Sequence, residues 1–194
     1  MNRSQSILEF WFGDPAQPES EYGHFRKIWF KKSPTFDQQI RQHFLADYER
    51  AVAGAYDDWV TTPRSTLALV IVLDQFARNL FRGSPQSFAA DSQARSVAEV
   101  AITRGDGAVL LPVERFFLYL PFEHSEDLAD QHRSVQLFEA LVAVAPELQH
   151  GLDYAYRHRD VIEKFGRFPH RNAVLGRIST AAEQAFLQQP GARF

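Results

Sequence analysis

Apolar residues recur at three- and four-residue intervals along nearly the whole chain, and no stretch alternates with period two between hairpin turns. Side chains at i, i+3 and i+4 share one helix face, so this spacing predicts helices and negligible strand. Ile7, Phe10 and Trp11 run into the stop signal Gly13-Asp14-Pro15. Phe25, Ile28 and Trp29 predict a short helix between Tyr22 and Lys32. Ser33-Pro34 and Thr62-Pro63 each pair an N-cap with a proline at the first helical position; the second opens a helix through Leu80 to Gly83. Ser84-Pro85 opens a segment that stops at Gly105. Pro112 opens one that Pro121 should break, leaving Ser125 to cap the next, Leu128 to Val142. A further pattern from Leu148 to Phe165 ends at Gly166, and Thr180-Ala181-Ala182-Glu183 forms a capping box before a short terminal helix.

These elements predict one compact all-α domain over residues 1–194, with roughly eight to ten helices of ordinary length. Pro34, Pro63, Pro85, Pro112 and Pro146 are unevenly spaced, so a regular helical repeat is not supported, and the spacing is compatible with a degenerate stack of helical hairpins.

Composition narrows the function. The 194 residues include no cysteine, which removes disulfides, thiolate metal sites and cysteine nucleophiles. A formal charge of -3 supplies no global field for nucleic acid or anionic membrane. The longest apolar run, Leu67 to Leu73, is far below the ~20 residues of a membrane span. Residues 1–13 hold too short an apolar run for a secretory leader, so the expected compartment is the cytoplasm. The 17 phenylalanines predict a core packed largely with rings.

Four clusters carry candidate chemistry. Asp74, Arg78 and Arg82 lie four apart on an otherwise apolar helix, with Gln75 and Asn79 beside them. This stripe is either a solvated end stitched by an Asp–Arg pair or a polar wall facing a cavity. His124, Ser125, Glu126 and Asp127 follow Pro121; Gln131 sits on an apolar face, where an amide needs a partner. His158 shares a stripe with Tyr154, Val161 and Phe165 and reads first as a satisfied core histidine. Arg167, His170, Arg171, Asn172 and Arg177 crowd the stretch after Gly166; they favour an anion or an internally cross-linked loop. Three guanidiniums so close together need negative charge among them, supplied by a ligand or by Glu123, Glu126 or Asp127. His124, Glu126, His158, His170 and Asp74 could be assembled into a metal site on paper. No HExxH, HxxxH or Glu-x-x-His spacing is present, so neither metal nor cofactor is expected. Phosphate-loop, dinucleotide and nucleophile-elbow motifs are missing too.

Four strings together resemble one family: Ile7-Leu8-Glu9-Phe10-Trp11-Phe12-Gly13; Leu73-Asp74-Gln75-Phe76-Ala77-Arg78-Asn79; Pro121-Phe122-Glu123-His124-Ser125-Glu126; and Phe165-Gly166-Arg167-Phe168-Pro169-His170-Arg171-Asn172 with Leu175-Gly176-Arg177. They are similar to the bacterial domain of unknown function 924, a tetratricopeptide-like helical family. The resemblance implies an all-helical fold related to helical-hairpin stacks, and no activity or catalytic residue. Ala77 stands where the family motif usually reads Pro, which implies a less kinked helix.

The leading expectation is a binding domain for a small polar or anionic ligand, or a protein segment. Its pocket would draw on Asp74, Arg78, Asn79, His124, Glu126, His158, Arg167, His170, Arg171, Asn172 and Arg177. The second is a small hydrolase or lyase taking an acid–base pair from His124, Glu126, His158 and His170. The third is an interaction scaffold in which the polar cluster only holds helices together. The first two require Asp74, His124, His158 and His170 to converge in space.

Overall fold

The computed structural model describes residues 2–192; Met1, Arg193 and Phe194, at the ends of the predicted 1–194 domain, lie outside the described residues. The helices are α1 (Arg3–Phe12), α2 (Pro34–Val52), α3 (Pro63–Val70), α4 (Ala77–Leu80), α5 (Asp91–Arg104), α6 (Pro112–Glu123), α7 (Leu128–Val142), α8 (Gln149–Phe165) and α9 (Ala181–Leu187). A π-helical turn, Ile71–Phe76, joins α3 to α4 in one rod over 63–80. No strand occurs among the described residues, so the fold is all-α. None of their helices is long and apolar enough to cross a membrane.

The rod is the axis of the fold. Every residue from Thr66 to Ala77 is buried, with α1, α5 and α6 packed on α3, and α2 on the π turn and α4. A helix apolar on nearly all sides can be stable only there. Rings close the space around it: Trp11 stacks on Trp29 at 5.9 Å and meets Phe76 and Phe117 edge-on at 5.7 and 5.5 Å. Helices α6, α7 and α8 pack as successive neighbours beside this core.

Local signals place most helix starts. Ser33, Thr62 and Thr180 accept from Phe36 N, Ser65 N and Glu183 N, and Glu183 closes the capping box at Thr180. Three expectations are corrected. The stretch from Tyr22 to Lys32 holds only a 3-10 turn, Lys27–Trp29. Its rings are held by remote segments, Trp29 by Trp11 O at 2.9 Å and by the Phe117 ring and Phe25 by the Phe116 ring, and these tertiary contacts override the helical spacing. Pro121 does not break α6, which continues to Glu123. Proline removes its own N–H but leaves later ones free to bond, and His124 N donates to Leu120 O at 3.0 Å. Ser125 does not cap α7. Asp127 does, accepting from Ala129 N at 2.7 Å, while Ser125 Oγ donates to Asp130 at 2.6 Å. The rod also changes its winding immediately before Ala77, over Ile71–Phe76.

Candidate functional site

The π turn carries the first polar groups. A π turn holds an extra residue and often marks a functional position; here it sets Asp74 and Gln75 in the interior, where Asp74 is fully buried. Three neighbours meet that carboxylate: His124 Nδ1 and Arg78 Nη1 lie 2.8 and 3.0 Å from Oδ1, and Gln75 Nε2 donates to Oδ2 at 2.6 Å. Burial alone would raise the Asp74 pKa, but Arg78 and His124 outweigh it and hold it down to about 2. Arg78 also forks Asp91, at the start of α5, with bonds of 3.0 and 3.2 Å. Burial, then Arg78, lowers the His124 pKa against the pull of Asp74. The imidazole is therefore neutral at neutral pH and donates Nδ1–H to Asp74, leaving Nε2 to accept from a ligand.

Burial, then the Asp74 charge, pushes the Glu123 carboxyl up to about 8. Its Oε1 lies 3.3 Å from His158 Nδ1, which also contacts Tyr154 O at 2.9 Å. Burial holds His158 well below its ordinary value, so Glu123 and His158 meet as neutral groups rather than as an ion pair. Gln131 finds partners for its amide nitrogen but not for Oε1, which is buried without a hydrogen bond. Its Nε2 donates to Phe122 O, Glu123 O and Ser125 O, tying the α6–α7 turn.

The arginine-rich stretch is neutralised mainly from within. Arg177 forks Glu126 at 2.7 and 2.9 Å, and Phe168 N donates to the same carboxylate at 2.7 Å. Arg167 forks Glu183 at 2.6 and 2.9 Å, and Asn172 links Arg177 to Ser179. Of the three internal acids expected, Glu126 serves this role, whereas Glu123 faces His158 and Asp127 caps α7.

Arg171 differs. Its guanidinium lies between the Phe88 and Phe168 rings, 4.5 Å from each centroid. Its nearest carboxylate, Asp91 Oδ2, is 3.5 Å away and already held by Arg78. Arg171 is only 6% exposed, and its Nε has no hydrogen-bond partner. Burial, then the Arg78 charge, pushes its pKa down to about 10, so it stays charged at neutral pH.

Two cavities adjoin these groups. The polar one, about 330 Å³, is walled by Gln75, Arg78 and Asn79 on the rod, His124 just after α6, His158 on α8, and His170 and Arg171 on the 3-10 turn Pro169–Arg171. The second, about 570 Å³, is lined by Phe25, Phe116, Leu120 and Tyr154, with Glu123 and His150. Its floor passes Gly151, where a Cβ would stand 2.4 Å from Phe116. Phe30, Lys31, His124 and His158 line both. Burial, then Arg171, takes the His170 pKa to about 4, so the polar cavity holds neutral imidazoles beside permanent cations.

The structure thus brings Arg78, Asn79, His124, His158, His170 and Arg171 to one cavity, with Asp74 behind His124 and Arg78. Glu126, Asn172 and Arg177 buttress the turn that carries Arg171. Arg167 points to α9. Arg82 lines the same cavity, its guanidinium forking Asp37 at 2.9 Å. Among the described residues no group of three His, Cys, Asp or Glu is placed to hold a metal ion. Sequence reasoning missed Phe30, Lys31, Phe88 and Asp91. Asp91 reads as an ordinary first-turn acid, and the other three lie outside any α-helix. Arg95, Asp130 and Ser125 form a separate knot between α5 and α7.

A family model described as a bacterial protein of unknown function (DUF924) matches residues 7–191. A solved structure of a protein of unknown function from Agrobacterium tumefaciens is similar over 95% of this chain and 96% of that one, with 37% identity and a TM-score of 0.81. No curated protein matches the chain.

Proposed function

The chain belongs to the bacterial family DUF924, and we propose that it is a cytoplasmic protein, one domain over residues 1–194, that binds a small anion in the polar cavity. One observation carries this reading: the buried Arg171 guanidinium faces the cavity with only a distant, shared carboxylate and an unpartnered Nε. A charge removed from water without close hydrogen bonds is costly, and an incoming carboxylate or phosphate would relieve that cost through a two-pronged contact. The rings on either side fix the guanidinium and contribute cation–π attraction. Thermal melting of wild type and Arg171→Met, with acetate or phosphate at constant ionic strength and chloride as control, tests the reading. An anion at 100 times its dissociation constant contributes about 2.7 kcal/mol, or roughly 5–10 °C for a domain of this size. That shift is expected in wild type and not in Arg171→Met. Equal shifts in both proteins, or none in wild type, overturn the reading.

The Asp74–His124 pair favours a second reading, acid–base hydrolysis of a bound ester or amide. A carboxylate on Nδ1 orients the ring, and Nε2 can take a proton from attacking water and return it to the leaving group. Asp74 would be a positioning residue. Asp74→Asn should then slow ester turnover at saturating substrate, and equal saturated rates in the two folded proteins would remove this reading.

A further inference from the structure

The polar cavity has an apolar annex that anion binding by itself does not use. The annex contains aromatic and aliphatic side chains from three separate regions: Phe25 before the Lys27–Trp29 turn, Phe116 and Leu120 on α6, and Tyr154 on α8. Phe30 and Lys31 line both cavities, and Phe30 is 55% exposed, so the junction is edged by an uncovered ring and an ammonium. Cavity volumes of about 330 and 570 Å³ both fall within the range of small-molecule sites.

Charge bookkeeping narrows the head group. Around the polar cavity Arg78 is matched by Asp74 and Asp91, and Arg82 by Asp37. Arg171 reaches only the Asp91 oxygen that Arg78 already holds, and no carboxylate lies in ion-pair range of Lys31 among the described residues. This modest surplus of positive charge suits one negative charge rather than two. A planar head also fits a guanidinium fork held between two rings.

We propose that the natural occupant is an amphipathic monocarboxylate, its head on Arg171 and Lys31 and its acyl or aryl tail in the cavity formed by Phe25, Phe116, Leu120 and Tyr154. The proposal rests on the anion-binding reading and adds the ligand class to it. His124 stands where head and tail meet, so the bonds nearest the carboxylate would pass its ring.

A chain-length series separates the two ideas. The full chain is titrated by calorimetry at pH 7 and constant ionic strength with acetate, butyrate, hexanoate and octanoate, and with inorganic phosphate. Each methylene moved from water into the annex should tighten binding about threefold to fourfold. Arg171→Met should weaken every carboxylate by a similar factor and leave the chain-length slope intact. Tyr154→Trp, at a half-exposed wall position, and Leu120→Phe, deeper in, should flatten the slope and leave acetate affinity unchanged. Acetate or phosphate binding with no gain from added methylenes overturns this proposal and spares the anion reading. A slope that survives in both annex variants also overturns it, because the tail then lies elsewhere. Octanoate binding equally to wild type and Arg171→Met overturns the head assignment. Absence of binding by every compound overturns both readings.

Discussion

Replacing Glu123 by Gln should stabilise the protein near neutral pH, although Glu123 is buried, 3% exposed, and its variant differs by one atom. The reason is linkage. Glu123 is held protonated in the folded chain, with a pKa of about 8 against an ordinary 4.5. Below the ordinary value both folded and unfolded states carry the proton, and folding loses nothing. Between 4.5 and 8 the unfolded chain ionises while the folded chain does not, so stability falls as pH rises. At about 1.4 kcal/mol per pH unit, the loss reaches about 3 kcal/mol at pH 7 and levels off at about 5 kcal/mol above pH 9. Gln reproduces the neutral acid in shape and cannot ionise. The measurement is urea unfolding of both proteins from pH 5 to pH 8.5, taking the difference between them at each pH so that other titrating groups cancel. The advantage of Glu123→Gln should grow by about 3–4 kcal/mol between pH 5 and pH 8. A pH-independent difference would refute the argument and place the Glu123 carboxylate in an ordinary, ionised state. A costly acid in the wall of the apolar cavity is itself a functional signal, since buried groups with displaced pKa values concentrate at sites that use them.

Asp74 works in the opposite direction. Its folded pKa, about 2, lies below the ordinary 3.8, so its contribution is present above pH 4 and disappears as pH falls toward 2. Asp74→Asn should lose about 3–5 kcal/mol at pH 7 by leaving Arg78 with less compensation, and its acid unfolding should be less steep than that of wild type. Gly151→Ala should lose roughly 1–3 kcal/mol despite the gain in helix propensity, because the new methyl would stand 2.4 Å from Phe116 and 2.9 Å from Phe138. Unchanged melting of that variant would mean the two rings can move apart, and that the annex is softer than its packing implies.

The all-helical class, most helix boundaries and the candidate polar groups could be read directly from the chain. Helix periodicity, Ser-Pro and Thr-Pro starts and glycine stops are local devices whose physics acts within a few residues. Gln131 also announced itself locally, as an amide on an apolar face, whereas the Asp74 stripe read equally as a solvated end or a cavity wall. The partners of those groups belong to the tertiary structure alone. Nothing in the string links Asp74 to His124, fifty positions away, or separates Arg167 and Arg177, each forked by a glutamate, from Arg171, held by rings with a distant carboxylate. The same holds for the π turn at Ile71–Phe76, the continuation of α6 through Pro121 and the lost helix before Lys32. At the lost helix the long-range bond from Trp29 to Trp11 helped decide between local states of similar energy, while Pro121 is tolerated because later N–H groups of α6 still bond. Local propensities differ by tenths of a kcal/mol to about one per residue, whereas burying a single aromatic ring contributes about 1.5–3 kcal/mol, so packing prevails wherever the two disagree.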